Sequence, residues 1–361
     1  VTAMARRGVP LQKVVDALKR MAPLHLAGSW DNVGLLVEPS QPQDKLVRIA
    51  FFTNDLTEPV CDEALSLGAD IVISYHPPLF RAIKRLTASS GKDRILLKAI
   101  EAKMAVYSPH TAWDAVAGGV NDWLASGVCA DDASCVVSVV EPEKSPARFK
   151  VCVQVEAGRV DDIVAALTAS RCDGVFVQAG RDSGINVVEA TCQDKALETA
   201  RRSVVELVAP DNFQAIALTP ASETTLGQGR VVTLSTPITL DQFVERIKSF
   251  LKLAHVRVGY PEGGSGEKLV RRVALCAGSG WSVISRCKAD VYLTGEMGHH
   301  DAAAAVAKGA GVVLCEHSNT ERGSLPVMAE RLLEQLQGDD PDGDGIQTVF
   351  SKIDADPLVV V

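Results

Sequence analysis

Short apolar segments alternate with amphipathic segments along most of the chain, and this alternation predicts an α/β protein. The predicted strands are Val47–Thr53, Ile71–Ser74, Ala105–Ser108, Arg272–Leu275, Val291–Thr294 and Val312–Leu314. Helical spacing of apolar residues predicts helices at Leu11–Met21, Leu56–Leu67, Lys92–Lys103 and Ala302–Lys308. Strands that are apolar throughout and are separated by helices are typical of mostly parallel sheets with helices on both faces.

A different order of elements is predicted between residues 148 and 220. Strand, helix, strand, strand, helix and strand follow one another there, which is the order of a split βαβ, ferredoxin-like unit. Segments of linker composition flank it, at Glu141–Pro146 and Thr219–Gln228. We therefore expect residues 1–140 and 226–361 to form the two halves of one α/β core, and residues 141–225 to form an inserted ferredoxin-like α+β domain.

The composition excludes some classes of function. A length of 361 residues suits two to three domains. The 37 Lys and Arg against 45 Asp and Glu give a net charge of −8, which argues against a surface of clustered cations for nucleic acid. No apolar stretch approaches the roughly 18 residues of a membrane span. Neither direct nucleic-acid binding nor membrane insertion is expected.

The cysteines indicate the compartment. The nine cysteines are widely spaced and form no Cys-x-x-Cys pair, which predicts neither a disulfide framework nor a thiolate zinc site. No apolar region of the kind found in secretory signals follows Arg6 and Arg7. We expect a cytoplasmic protein, with the nucleus as a second location. A cleaved mitochondrial leader stays open, because the first residue is not Met.

Four predicted strands are followed by polar residues that can ligate a metal or activate water. These tails are Tyr75-His76, His110 through Asp114, Glu296 through Asp301, and Glu316 through Glu321. Because ligands bind outside the carboxyl ends of the strands in open α/β sheets, the four tails are expected to converge.

Two of these tails have the spacing of metal ligands. His317 and Glu321, and likewise His110 and Asp114, stand four residues apart, so each pair lies about one helical turn apart and can face one ion. Imidazole with carboxylate, and no thiolate, suits Zn, Fe, Mn, Ni or Mg. A carboxylate that bridges two ions is what a two-metal hydrolytic centre requires.

Seven motifs stand out along the chain: SWDNVGLLVEPS (29–40), TNDLTEPV (53–60), SYHPPLFR (74–81), YSPHTAWDAVAGGVNDWLA (107–125), LTGEMGHHDA (293–302), CEHSNTERG (315–323) and DPLVVV (356–361). With these motifs the chain resembles the NIF-three-like family (Ngg-one-interacting factor three) in its animal form. The resemblance implies the NIF-three-like fold and a toroidal homohexamer with a two-metal site in its interior. Some bacterial members are labelled type-two GTP cyclohydrolases, and eukaryotic members are described as partners of transcriptional regulators.

The resemblance also implies a ligand set. The positions that match the family's ligands are His76, Asp114, His317 and Glu321, with Glu321 bridging. Bacterial members carry two consecutive histidines where this chain has Tyr75 and His76, so the implied content is one or two divalent ions per chain.

Further residues of the matching motifs are expected to line the same pocket. His110, His300 and Asp31 are the candidate catalytic residues, which orient ligands or move protons.

Two functions of different classes are consistent with these residues. The first is a metal-dependent, cyclohydrolase-like hydrolase, in which the ion activates water for attack on a small nucleotide-like or heterocyclic substrate and His110 or His300 transfers the proton. The second is a regulatory protein that binds transcriptional regulators and whose metal is structural. A metal carrier without turnover is a third interpretation.

Overall fold

The computed structural model of the chain describes residues 8–130, 132–142, 148–179, 184–218, 225–339 and 345–359. These residues belong to two compact units. The first unit comprises residues 1–143 and 224–361, and the second comprises residues 144–223. Each unit has its own sheet structure and its own apolar core.

The described residues form seventeen strands and eleven α-helices. The strands are β1 Val9–Pro10, β2 Gly34–Val37, β3 Leu46–Val47, β4 Ile49–Thr53, β5 Ile71–Ser74, β6 Ala105–Ser108, β7 Val136–Pro142, β8 Arg148–Glu156, β9 Asp173–Gln178, β10 Ile185–Gln193, β11 Phe213–Leu218, β12 Gly227–Thr239, β13 Arg257–Gly259, β14 Leu269–Cys276, β15 Val291–Thr294, β16 Gly311–Leu314 and β17 Gln347–Phe350. The helices are α1 Leu11–Met21, α2 Glu58–Ser66, α3 Gly91–Glu101, α4 His110–Ala115, α5 Val120–Cys129, α6 Val160–Ala169, α7 Asp194–Val205, α8 Leu240–Leu251, α9 Trp281–Ile284, α10 His299–Ala307 and α11 Leu325–Asp339. None of these helices has the length and apolar character needed to cross a membrane.

Five strands of the first unit form a sheet in the order β17-β4-β5-β6-β2. Strands β17, β4, β5 and β6 are parallel, and β2 pairs antiparallel with β6. Phe51 and Phe52 are consecutive in β4, so their side chains point to opposite faces of the sheet, yet both are fully buried. The sheet is therefore covered on both sides, by α2 and α3 on the Phe51 face and by α1 and α11 on the Phe52 face.

Six further strands of the first unit form a second sheet, in the order β13-β16-β15-β14-β12-β7. Its strands β14, β15 and β16 are parallel, and the remaining pairs are antiparallel. The predicted α/β class is confirmed, with antiparallel strands toward the edges of both sheets.

Helix boundaries differ from the prediction where capping decides them. Helix α2 begins at Glu58 rather than Leu56, because the side chain of Thr57 accepts a hydrogen bond from the backbone N–H of Val60 and Pro59 occupies the first turn. Helix α10 begins three residues earlier than predicted, at His299. The first turn of α10 therefore contains residues 299–301, which the sequence pattern predicted to lie in a loop before the helix.

The second unit is a four-stranded antiparallel sheet in the order β11-β8-β10-β9, packed with α6 and α7 around one core. Its βαββαβ succession is the one that the sequence pattern predicted. The assignment of residues 141–225 as an inserted domain stays a prediction. Residues 143–147 and 219–224, on which its boundaries depend, lie outside the described residues.

One disulfide is present, between Cys129 and Cys135. The cysteine pattern predicted no disulfide framework, and this disulfide corrects the expectation that the chain has no cross-links. The turn between α5 and β7 brings the two Cα atoms to 5.8 Å, and such a local approach cannot be read from the spacing of cysteines along the chain. The other seven cysteines are free.

Candidate metal centre

Two imidazoles and one carboxylate of the first unit meet at the carboxyl ends of its parallel strands. His76 follows β5, whereas His317 and Glu321 follow β16, on either side of a short 3-10 turn. The Nε2 atoms of His76 and His317 lie 3.4 and 3.2 Å from Oε2 and Oε1 of Glu321, respectively. Within the described ranges, no other group of three His, Cys, Asp or Glu has its ligand atoms all within 4.8 Å of one another. Three of the four predicted ligands are thus brought together.

Each imidazole of this centre is held by a second carboxylate. Nδ1 of His76 lies 3.0 Å from Oδ1 of Asp55, and Nδ1 of His317 lies 2.8 Å from Oε1 of Glu296. A carboxylate on Nδ1 fixes the ring and directs Nε2 toward a metal. The sequence pattern assigned no role to Asp55, and it placed Glu296 in a polar tail without making it the partner of a histidine. Their position in the sequence could have indicated a role, because Asp55 and Glu296 each stand two residues after a parallel strand, as His76 does.

The charges of the three groups are strongly coupled. Burial disfavours the imidazolium of His76, but the hydrogen bonds with Asp55 and Glu321 outweigh burial and raise the pKa of His76 to about 10. In the same way, Glu321 and Glu296 outweigh burial and raise the pKa of His317 to about 9. Burial disfavours the charged form of Glu321 too, but the two imidazoles lower the pKa of that carboxyl to about 2. The metal-free centre is therefore a carboxylate between two imidazoliums.

We expect the affinity for a divalent ion to rise with pH between pH 6 and 8. A metal-bound imidazole is neutral, and both histidines have a folded-state pKa above this range, so each displaced proton contributes about a tenfold gain per pH unit. Glu321 is already ionised there and contributes no pH dependence. Calorimetric titration with Mn²⁺, in buffers of different ionisation enthalpy, measures the affinity and the protons released. An affinity that does not change over this range would contradict the assigned protonation state.

The surroundings of the three ligand atoms fit a bound cation. A Cβ atom on Gly278 would lie 2.6 Å from Oε1 of Glu321 and 3.0 Å from Nε2 of His317, so glycine keeps space free beside both atoms. Asn54 is fully buried and donates from Nδ2 to Oε2 of Glu321 at 3.1 Å, while its Oδ1 has no partner among the described residues. Each imidazole faces its own oxygen of Glu321, and each of the two separations is close to the roughly 3.4 Å between neighbouring ligands of a tetrahedral ion with ~2.1 Å bonds.

Asp114, the fourth predicted ligand, does not belong to this group. It lies in α4, is buried, and its carboxylate accepts a hydrogen bond from the hydroxyl of Tyr75. Burial raises the pKa of Asp114 to about 6, although the Tyr75 hydroxyl acts in the opposite direction. Burial and the nearby Asp114 charge raise the pKa of Tyr75 well above its ordinary value, so this hydroxyl is a neutral donor.

A second histidine–aspartate pair lies beside His76. Nδ1 of His110 is 2.7 Å from Oδ1 of Asp31, whose side chain is fully buried and also accepts a hydrogen bond from the Thr111 hydroxyl. Burial disfavours the charged Asp31, but the bonds with His110 and Thr111 lower its pKa. The His110 ring centroid is 5.3 Å from that of His76, and its φ of 31° is in the left-handed region, where strain is often retained at functional sites. Asp31 thus holds His110 next to the centre.

An exposed aromatic rim, formed by Trp30 and Phe80, continues from His110. The Trp30 ring centroid is 6.1 Å from both the His110 and the Phe80 centroids, and Trp30 is 65% exposed. Three exposed basic residues follow Phe80 in the sequence, Arg81, Lys84 and Arg85. The centre is therefore bordered by exposed aromatic rings in edge-to-face contact, and three cationic side chains follow Phe80 in the sequence.

His300 is placed differently from His110. It is exposed in the first turn of α10, where its ring contacts His299 at 5.4 Å. Within the part of the chain that the structure describes, no hydrogen bond, ion pair or ring contact joins His300 to the metal centre. Its role in proton transfer stays a prediction, and His110 is the better placed of the two.

Comparisons with known proteins give one consistent result. A family model described as Duf34/NIF3 (NGG1p interacting factor 3) matches residues 9–357. Human NIF3-like protein 1 is 38% identical over 99% of this chain and 94% of its own length, and the Saccharomyces cerevisiae protein named NGG1-interacting factor 3 is 30% identical over 97% and 96%. A solved Bacillus cereus protein related to NIF3 superposes with a TM-score of 0.68 at 26% identity, covering 97% of this chain and 99% of that one.

Proposed function

The chain belongs to the Duf34/NIF3 family, and we propose that it is a metal-dependent, cyclohydrolase-like hydrolase acting on a small nucleotide-like or heterocyclic substrate. The observation that carries this proposal is the centre of His76, His317 and Glu321. Three protein ligands leave room for water or substrate, as in catalytic metal sites, whereas structural sites close all four positions. A divalent ion bound there lowers the pKa of water toward neutrality.

The neighbouring residues supply what hydrolysis needs besides the ion. His110 is held by the buried Asp31 and lies next to His76, so it is positioned to take a proton from the attacking water and return it to the leaving group. Asp31 acts through His110, because it fixes the tautomer and orientation of that ring. Asp55 and Glu296 keep the two ligand imidazoles pointing at Glu321.

The aromatic rim supports a planar substrate. The exposed ring of Trp30 offers a stacking surface one ring beyond His110, and stacking on an aromatic side chain contributes about 1–3 kcal/mol per base. Arg81, Lys84 and Arg85, which are exposed and follow Phe80 in the sequence, can bind an anionic group of the same molecule. A heterocycle that carries phosphate satisfies both features.

The proposal is tested by incubating metal-loaded protein with a panel of ribonucleoside triphosphates and detecting hydrolysis products by mass spectrometry. We expect turnover of at least one compound. Trp30→Ala is expected to weaken its binding about 5- to 150-fold, the equivalent of ~1–3 kcal/mol, with the metal content unchanged. Phe176→Ala, which removes a comparably exposed ring from the second unit, serves as the control. Absence of turnover of every compound in a fully metallated sample would contradict the hydrolase proposal, whether or not the compounds bind.

The second candidate is a metal-binding regulatory protein that partners transcriptional regulators. The name of the yeast relative, NGG1-interacting factor 3, favours it. In that case partner capture from a nuclear or cytoplasmic extract would persist in a protein stripped of metal, and the nucleotide panel would give no product. The homohexamer expected from the family resemblance is also a proposal for this chain, and sedimentation equilibrium measures it directly.

A further inference from the structure

We infer that residues 351–358, which follow β17, form a strap that holds the metal centre in its geometry, and that Asp354 is the positioning residue of this strap. The inference rests on the proposed metal centre and extends it to residues outside the group of three ligands. The motif DPLVVV (356–361) lies partly in this segment, and no part of the proposed function uses it.

The loop that carries two of the three ligands has little regular structure of its own. His317 and Glu321 lie in the ligand loop, residues 315–324, which contains two short 3-10 turns. This loop follows β16 of the six-stranded sheet, whereas His76 follows β5 of the five-stranded sheet. Ligands must be held to within about 0.5 Å of their working geometry by the residues around them. The ligand loop therefore needs contacts that fix it relative to the five-stranded sheet.

The strap binds the ligand loop at the residue that directly follows each ligand. Oδ2 of Asp356 accepts the hydroxyl of Ser318 at 2.8 Å. Asp354 forms an ion pair with Arg322, in which Nε lies 3.1 Å from Oδ2 and Nη2 lies 3.4 Å from Oδ1. Nη2 of Arg322 also donates to the hydroxyl of Ser318 at 3.0 Å, so the two contacts are joined to each other.

Asp354 also binds the five-stranded sheet. Its Oδ2 accepts the backbone N–H of Asn54, which follows β4, at 2.9 Å. The side chain of Asn54 donates to Oε2 of Glu321. The next residue, Asp55, holds the ring of His76 through Nδ1. One carboxylate thus joins the chain segment that supports His76 to the loop that carries the other two ligands.

The strap is anchored where it begins, and it buries the Asp354 carboxylate. The backbone N–H of Ser351 donates to the carbonyl of Phe52 at 3.0 Å, and its hydroxyl donates to Glu63 at 2.6 Å. The Asp354 side chain is 3% exposed, although both of its neighbours in the chain are exposed. Burying a carboxylate is unfavourable unless its partners offset the lost hydration. The partners of Asp354 are the two segments that hold the ligands.

The test compares Asp354→Ala with a matched control, Asp70→Ala. Asp70 lies at the opposite end of β4, where it accepts two backbone N–H groups, at 2.7 and 3.2 Å, and pairs with Lys45 at 2.8 Å. Each change therefore removes a carboxylate that joins backbone N–H groups to a cation, and only one of the two carboxylates belongs to the strap.

Metal-free full-length protein is titrated with Co²⁺ and followed by visible absorption, which reports both the affinity for the ion and its coordination geometry. For Asp354→Ala we expect an affinity about 10-fold lower, at the lower end of the cost of losing a partner of a metal ligand, together with shifted absorption bands. For Asp70→Ala we expect a lower melting temperature with unchanged affinity and bands. A role of Asp354 in stability alone would make the two variants alike.

Two results would overturn the inference: unchanged Co²⁺ affinity and bands in a folded Asp354→Ala variant, or an equal loss of affinity in Asp70→Ala. If Asp354→Ala does not fold, Asp356→Ala decides, because it removes the bond to Ser318 and leaves the buried ion pair in place. Shifted bands in Asp356→Ala support the strap, and unchanged bands overturn it. The proposed function fails in a different way, namely if the unmodified protein binds no Co²⁺ or turns over no compound of the nucleotide panel.

Discussion

Glu321→Gln is expected to empty the metal centre while leaving the fold in place. Glu321 is the group that both imidazoles face, and it is the one negative charge among the three ligands. The amide has the same shape but no charge, and it presents an N–H₂ group to one of the two Nε2 atoms. We expect the metal content to fall to background. The affinity for the metal is expected to fall by more than 100-fold, because changes to residues that only contact a metal ligand already cost up to about 100-fold.

The matched control for this variant is Glu316→Gln. Glu316 lies in the same loop, and its carboxylate pairs with Arg257 at 2.9 Å rather than with the centre, so this change is expected to leave the metal content at the unmodified level. Metal analysis after gel filtration and thermal melting of both variants give the comparison. Retention of the ion at unmodified affinity by Glu321→Gln would show that the ligand assignment is wrong.

Gly278→Ala is expected to abolish metal binding through sterics alone. The new Cβ would lie 2.6 Å from Oε1 of Glu321, which is closer than real Cβ contacts, and 3.0 Å from Nε2 of His317, which is tighter than most of them. The backbone at Gly278 is held in position, because its carbonyl accepts hydrogen bonds from the backbone N–H groups of Gly295 and Glu296. Hence the ligands, rather than the backbone, must shift. The left-handed φ of +60° adds about 1 kcal/mol of strain.

Gly309→Ala separates these two effects. Gly309 also has a left-handed backbone, with φ of +83°, but no atom lies within 4 Å of the position that its new methyl group would occupy. Both variants are expected to lose a similar, small amount of thermal stability, whereas only Gly278→Ala is expected to lose the ion, as measured by metal analysis. Equal metal contents in the two variants would contradict the steric account of the centre.

The sequence pattern predicted the strands well because their burial is complete. Strands Ile71–Ser74, Ala105–Ser108 and Val291–Thr294 have the predicted bounds, since each is apolar on both faces and polar residues follow it directly. The four tails were expected to converge. They come from two sheets of the first unit, β5 and β6 in one and β15 and β16 in the other, and periodicity alone does not reveal how the strands are divided between the two sheets.

The candidate ligands were more predictable than what surrounds them. His76, His317 and Glu321 stand in polar tails that follow strands, the family resemblance implied them as ligands, and the fold brings their ligand atoms together. The partners of their second nitrogen atoms were missed, because the contacts of Asp55 and Glu296 depend on tertiary placement of loops. The capture of Asp114 by Tyr75 was missed for the same reason, since a hydrogen bond between two buried side chains 39 residues apart leaves no local pattern.

The most direct test of the central claim is an anomalous difference map from crystals of this protein grown with Mn²⁺ or Zn²⁺. We predict metal density at bonding distance, ~2.0–2.2 Å, from Nε2 of His76, from Nε2 of His317 and from the carboxylate of Glu321. A metal peak that does not contact these three side chains, in crystals where other sites are occupied, would contradict the account.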